Sequence, residues 1–461
     1  ETHPQHGEQL RAVELERSLP EDEEEIFSYL SSGICKGVGP ATARRIVERF
    51  GAETLDVLER EPERLTTLKG VTARKAQEIA ESFRQHMGLR RLMAFLAQYQ
   101  LPPVLAMELR RQYGDAALEK VRENPYLLSG EACGVEFSVT DGIAMGMGLA
   151  ADSDQRLQAA VTFELSHNEN NGHVFLPRNK LISATTQLLD SGAELVEQAL
   201  DSLIERGAVV QEQVANVEAC YLRRLWEAEC SACIRLAGLL AADTDRSAQA
   251  GRAVDELEAQ QGITYAPLQR QAVELAARTG VLVLTGGPGT GKTTTVRGIV
   301  ALFRRMGLEI VLAAPTGRAA KRMSELTGME AQTVHRMLGM SWNDVTHQVT
   351  FQKTEKEPLE ADAVIVDEMS MVDLALFSAL LRALRPGTRL VLVGDADQLP
   401  SVGAGNVFSD LIRSGRVETV FLREVFRQAE QSAIIRNAHA VNLGQPPQLA
   451  NNQGDFFFLC R

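Results

Sequence analysis

The chain has 461 residues, of which 44% are hydrophobic, with 48 Lys and Arg against 61 Asp and Glu and a formal net charge of −13. That length exceeds an ordinary single domain and predicts roughly two to four domains. The acidic total excludes a uniformly basic nucleic-acid coat, the lack of an apolar run of about 18 residues excludes a helical membrane span, and six scattered cysteines point to free thiols in a reducing compartment.

Residues 1–30 contain the run EDEEE (Glu21–Glu25) and read as an acidic arm or helix. The chain starts at Glu1 with no charged-then-apolar leader, so a processed piece of a longer protein is expected. From 31 to 154 come short helical segments punctuated by Gly, Pro and Asn, opening on GICKGVGPATARRIVERFG (Gly33–Gly51). Its glycine pair, Gly37 and Gly39, runs into a helical pattern, and the free N–H groups at such a start suit a phosphate. LTTLKGVTARKAQEIAESF (Leu65–Phe83) repeats the motif, with Thr72 where Gly39 stands in the first copy. Two more segments, from Leu96 and from Cys133, keep a helix–turn–helix rhythm with poorer glycine agreement. Residues 34–124 hold sixteen Lys and Arg against twelve Asp and Glu, a basic stretch within an acidic protein.

Residues 155–260 change style. Helix, loop, strand and helix are followed by helix, Gly turn and strand, the order of a small winged-helix-like unit, and then by longer linking helices. Cys230 and Cys233 form C-x-x-C, with Cys220 ten residues before. No second pair completes a zinc site, and LWEAECSACIRLAGLL reads as an amphipathic helix with small residues on one face. From about 261 onward, apolar runs at 281–285, 309–314, 363–367 and 389–393 alternate with helices. This pattern predicts an α/β domain on a parallel sheet, with its functional loops at the carboxyl ends of the strands.

LTGGPGTGKTTT sets Gly286-x-x-x-x-Gly291-Lys292-Thr293 between a strand and a helix, the context of a P-loop. Gly286, Gly287, Pro288, Gly289, Thr290, Gly291 and Thr294 complete a loop able to wrap phosphates with inward N–H groups. Lys292 supplies charge to the β- and γ-phosphates of ATP, and Thr293 a hydroxyl to Mg²⁺. AVIVDEMSMVD ends a strand in Asp367, suited to the Mg²⁺, and Glu368, placed to orient and deprotonate an attacking water. VLVGDADQLPSVGAGN offers Gln398 to the γ-phosphate or the water, on a strand expected beside the P-loop strand. Arg427, in LREVFRQ, is either a charge for the transition state or a surface arginine. Two more strand-end loops offer Pro315, Thr316 and Arg318, and Thr333, His335 and Arg336, to a nucleic-acid backbone.

PLQRQAV, GGPGTGKTTT, APTGRAAKR, TVHRMLG, VIVDEMSMVD, GDADQLPSVGAGNV and VFRQ occur in the order and wording of superfamily 1 DNA helicases. The chain resembles the stand-alone RecD-like type with N-terminal helix-hairpin-helix repeats. The resemblance implies a mainly α region over 31–154, a RecA-like motor domain over 261–415 and the mere start of a second over 416–461. It implies ATP and Mg²⁺ as cofactors and 5′→3′ movement on single-stranded DNA, with unwinding at single-strand/double-strand junctions. The expected setting is a bacterial cytoplasm, away from membranes, with the protein working as a monomer. The resemblance assigns Gln269 to the adenine and makes Arg427 an arginine finger. It assigns Pro315, Thr316, Arg318, Thr333 and His335 to the DNA strand. It gives Lys36, Gly37, Gly39 and Arg44 of the first repeat a backbone phosphate, with Arg45 adding charge. In the family a hairpin inserted before the D-E strand splits the duplex, and residues about 341–356, alternating around Asn343-Asp344, are expected to form it. Only about thirty residues follow VFRQ, short of a second motor domain. An ATP-binding accessory or switch protein that grips DNA without translocating is therefore the alternative. A nucleotide kinase would need a lid and acceptor site, and a relaxase fusion a histidine cluster with a tyrosine nucleophile. Neither pattern is found in the sequence.

Overall fold

The structure is a computed structural model that describes residues 2–3, 7–8, 22–32, 36–242, 247–343, 348–424, 432–449 and 455–457. The chain divides into two compact units, Glu1–Met147 and Gly148–Arg461.

In the first unit, β1 (Thr2–His3) pairs antiparallel with β2 (Gly7–Glu8). The expected acidic arm or helix is thus a short strand pair and, after it, helix α1 (Glu23–Ser31). Asp22 accepts the Glu25 N–H at 2.8 Å, and three glutamates fill the first turn, where the helix end is positive. The unit continues through α2 (Pro40–Phe50), α3 (Thr54–Arg60), α4 (Ala73–Gln98), α5 (Val104–Tyr113), α6 (Ala117–Glu123) and α7 (Phe137–Gly146). The two glycine repeats open α2 and α4. Ile46, Leu58, Leu65, Ile79 and Phe83 lie in one core, and Leu92, Leu96, Leu109 and Val121 in another. Helix α4 supplies residues to both.

The second unit begins with α8 (Asp154–Glu169), β3 (Phe175–Pro177), α9 (Arg178–Leu189), α10 (Ala193–Glu205), β4 (Val209–Val214) and β5 (Val217–Leu222). Its strands pair antiparallel in the order β3-β5-β4. Helix α11 (Arg223–Ala241) carries the free thiols Cys230 and Cys233. Helices α12 (Ser247–Gln261) and α13 (Pro267–Arg278) lead into the α/β domain.

That domain runs β6 (Val281–Gly286), α14 (Lys292–Arg305), β7 (Ile310–Ala314), α15 (Gly317–Thr327), β8 (Ala331–Thr333) and α16 (Val334–Met337). The hairpin β9 (Met340–Asn343) and β10 (Gln348–Phe351) follows. Then come β11 (Ala363–Val366), α17 (Leu374–Arg382), β12 (Arg389–Gly394), α18 (Val407–Ser414), β13 (Glu418–Leu422) and α19 (Ala433–Asn442). Six parallel strands align in the order β13-β6-β12-β11-β7-β8. Strands β11 and β12 are buried along their whole length, as strands covered on both faces must be. Val364, Val366, Leu390 and Leu392 enter the core on one face of the sheet, and Ile365, Val391 and Val393 the core on the other. The sheet corrects one boundary. Glu418–Leu422, expected at the start of a second domain beyond 415, pairs with β6 from Glu418↔Leu282 to Leu422↔Gly286 and is an edge strand of this sheet. Among the described residues, no helix is long and apolar enough to cross a membrane.

Candidate nucleotide and nucleic-acid site

The P-loop joins β6 to α14. Gly289 and Gly291 take φ of +79° and +82°, a left-handed geometry that a Cβ would strain. Thr290 Oγ1 donates to the Gly287 carbonyl at 2.8 Å, and Thr295 Oγ1 to the Gly291 carbonyl at 3.1 Å, which brace the loop from within. Lys292 Nζ donates to the carbonyls of Gly286 and Gly287. Residues 287–293 line a cleft of about 460 Å³ that they share with Arg322, Asp367, Glu368 and Gln398. Thr294 is exposed and outside that lining. Gln269 is 4% exposed and also outside it. Its side-chain oxygen accepts the Ala266 N–H at 3.1 Å and its nitrogen donates to the Gly291 carbonyl at 3.4 Å, so it buttresses the end of the P-loop.

Strand β11 delivers the acids. The Asp367 N–H continues the ladder by donating to the Ala313 carbonyl at 3.0 Å, and Asp367 Oδ1 accepts the Glu368 N–H at 2.9 Å. Burial pushes the Asp367 carboxyl above its ordinary range, opposed by the Glu368 N–H and by Lys292 and Arg322. Burial and then the Asp367 charge push Glu368 up as well, again against Lys292 and Arg322. Glu368 has φ +55°, a backbone strain carried by a non-glycine residue at the cleft. Strand β12 lies beside β6, as its expected role required, and Gln398 Oε1 accepts Ser370 Oγ–H at 3.4 Å. Asp367 and Thr293 set a carboxylate and a hydroxyl on one cleft, the hard oxygen donors that Mg²⁺ takes. Arg322 is a cleft residue that sequence reasoning passed over. Its signal was its place one turn after Arg318 on α15, and Arg318 itself is exposed and outside the cleft lining. Arg427 lies outside the described residues.

The nucleic-acid candidates of this unit cluster at the carboxyl ends of β7 and β8, which are paired with Ala314 opposite Thr333. Thr316 Oγ1 caps α15 by accepting the Ala319 N–H at 3.3 Å, and Thr333 Oγ1 caps α16 by accepting the Arg336 N–H at 3.2 Å. Pro315 and Arg318 flank the first cap. The His335 ring lies 6.3 Å from that of Phe351 at the base of the hairpin. On the hairpin, Trp342 is paired with Val349, and the two are 51% and 44% exposed.

The first glycine repeat has Gly37 at φ +84° and Gly39 as an extended N-cap that leaves the start of α2 without a side-chain cap. The Lys36 N–H donates to Ser82 Oγ at 2.9 Å. The Arg44 guanidinium lies 5.4 Å over the Phe27 ring, and Arg45 donates to the Lys69 carbonyl at 2.6 Å. In the second repeat Gly70 has φ +86°, and Thr72 Oγ1 accepts the Lys75 N–H at 3.3 Å. The helix start that is open in α2 is therefore closed by the protein's own hydroxyl in α4.

Residues 28–85 match the SAM-like helix-hairpin-helix tandem family, 85–175 the ATP-dependent RecD2 DNA helicase HHH domain, and 269–404 an AAA domain family. The ATP-dependent RecD2 DNA helicase of Deinococcus radiodurans is 33% identical over 97% of this chain and 63% of its own length. The RecBCD enzyme subunit RecD of Mycolicibacterium smegmatis is 40% identical over 42% of this chain and 37% of its own. The RecD subunit of Haemophilus influenzae is 38% identical over 31% and 26%. The chain thus spans under two thirds of the length of these relatives. Along the sequence the matched helix-hairpin-helix regions lie ahead of the matched P-loop domain, and the chain is similar over nearly its whole length to the RecD2 relative.

Proposed function

We propose that the chain carries the ATP-hydrolysing part of a DNA helicase that moves 5′→3′ on single-stranded DNA and opens duplex at junctions, as a monomer in a bacterial cytoplasm. The observation that carries this reading is one cleft that gathers Lys292, Asp367, Glu368 and Gln398 from the ends of three adjacent strands. The loop N–H groups and Lys292 hold the β- and γ-phosphates. Glu368, whose affinity for a proton is raised by burial and by Asp367, takes the proton of the water that attacks the γ-phosphate. Gln398 orients that water, Arg427 adds charge to the transition state, and Gln269 acts on the nucleotide only through the Gly291 carbonyl that it braces. Asp367 and Thr293 would hold Mg²⁺, which would supply neutralisation of phosphate charge. Pro315, Thr316, Arg318, Thr333 and His335 grip the strand, and the open start of α2 with Lys36, Gly37, Gly39 and Arg44 takes a backbone phosphate. The test is ATP hydrolysis with and without a single-stranded oligonucleotide. Stimulation is expected, and Lys292→Ala should lower the rate by about 100-fold or more. Nucleotide binding through Lys292 without stimulation would mean instead an ATP-gated DNA-binding protein that does not translocate.

A further inference from the structure

Ile435, His439 and Asn442 lie on one face of α19, four and then three residues apart. Each meets a different part of the nucleotide site. Ile435 lines the cleft. His439 rests on the P-loop, since a Cβ at Gly287 would fall 3.1 Å from His439 Cε1 and 3.9 Å from Nε2. Asn442 Nδ2 donates to Asp397 Oδ2 at 2.9 Å, and Asp397 directly precedes Gln398. The helix that presents this face is well anchored. Asp455 accepts the Ala433 N–H at 2.8 Å, Ser432 Oγ accepts the Ile435 N–H at 3.3 Å, and Asn437 exchanges two hydrogen bonds with the Gln448 backbone.

His439 Nε2 is shut away from solvent and has no hydrogen-bond partner among the described residues. An enclosed ring nitrogen is costly unless a partner arrives. It sits beside the glycine whose carbonyl accepts from Lys292 Nζ at 3.2 Å, the ammonium that serves the terminal phosphates. A phosphate oxygen that draws Lys292 to itself would therefore also come within reach of this ring.

We propose that His439 contacts the terminal phosphate and so distinguishes a nucleoside triphosphate from a diphosphate. Nε2–H donates to a γ-phosphate oxygen, and Asn442 ties the same helix to the Gln398 loop through Asp397. The assignment rests on reading the cleft as an ATP site. A side chain at Gly287 would crowd the imidazole.

The experiment titrates the full chain with fluorescent ADP and with a non-hydrolysable ATP analogue, for the unaltered protein and for His439→Phe, His439→Gln and Asn442→Ala. Phenylalanine keeps the ring and drops the donor, whereas glutamine keeps a donor at similar reach. His439→Phe is expected to weaken the analogue about 10-fold, the scale of a hydrogen bond to a charged group, with ADP affinity unchanged. His439→Gln should restore most of that loss, and Asn442→Ala should weaken the analogue and not ADP. Equal losses for both nucleotides, or no loss with His439→Phe, would overturn the assignment and leave a packing role. Failure of the unaltered chain to bind either nucleotide would sink the ATP-site reading itself, and the assignment with it.

Discussion

Glu229 on α11 is half-buried, and burial first, then the nearby Asp410 and Glu212, hold its carboxyl above the ordinary 4.5, while the Tyr221 hydroxyl pulls it back. A carboxyl raised in the folded state favours folding below its unfolded pKa, and that contribution is lost as pH rises through the folded value. Glu229→Gln removes the buried charge and keeps a partner for Tyr221. It is expected to raise Tm near about pH 7.5 and to leave it unchanged below about pH 4, in thermal melts across that range. The same scale shows what a sequence can display. Lys292, Asp367 and Glu368 were legible because the first closes the glycine loop after β6 and the other two come straight after β11, so neighbours along the chain announce the role. Arg322 and His439 were not, because only the packing of α15 and α19 around the P-loop brings the first to the cleft and the second against Gly287. Arg322→Ala is expected to weaken ATP-analogue binding about 10-fold in the same titration, the scale of one lost charge-assisted contact.

The two glycine repeats read alike, and they differ at the helix cap, Gly39 in one and Thr72 in the other. Thr72 caps α4, so Thr72→Ala should cost about 1 kcal/mol in a urea melt. At Gly39 the backbone is extended, and a Cβ would meet nothing within 4 Å. Gly39→Asp should therefore fold normally, fill the start of α2 with its own carboxylate, and weaken DNA binding. Thr72→Ser, which keeps the capping hydroxyl, should leave DNA binding unchanged. The inserted hairpin was visible as alternation about a turn dipeptide. Replacing residues 340–351 by a short Gly linker is expected to abolish unwinding while DNA-stimulated hydrolysis continues. Loss of both activities would remove the wedge role. Strand β13 was misplaced for a clear reason. Its five residues pair with a strand more than 130 positions earlier, and no local pattern records that partner.

For the whole molecule, a net charge of −13 means that any grip on DNA is local and works against the protein's mean field. If the contacts neutralise about four phosphates, single-strand affinity should fall about 50-fold between about 50 and 200 mM salt, measured by anisotropy. A flat response would argue against backbone contacts altogether. The division of labour was legible from composition, with punctuated helices first and alternating strands later. The point where one unit ends was not, because it depends on which side chains share a core. Helix α4 shows this best. Its 26 residues make one rod of about 39 Å, rooted at Ile79 and Phe83 in the first helical core and at Leu92 and Leu96 in the second. Gly88, the helix's one glycine, lies between its two seats, yet the helix runs unbroken across it. A pull on the glycine turn at its start therefore reaches the second core through this single helix.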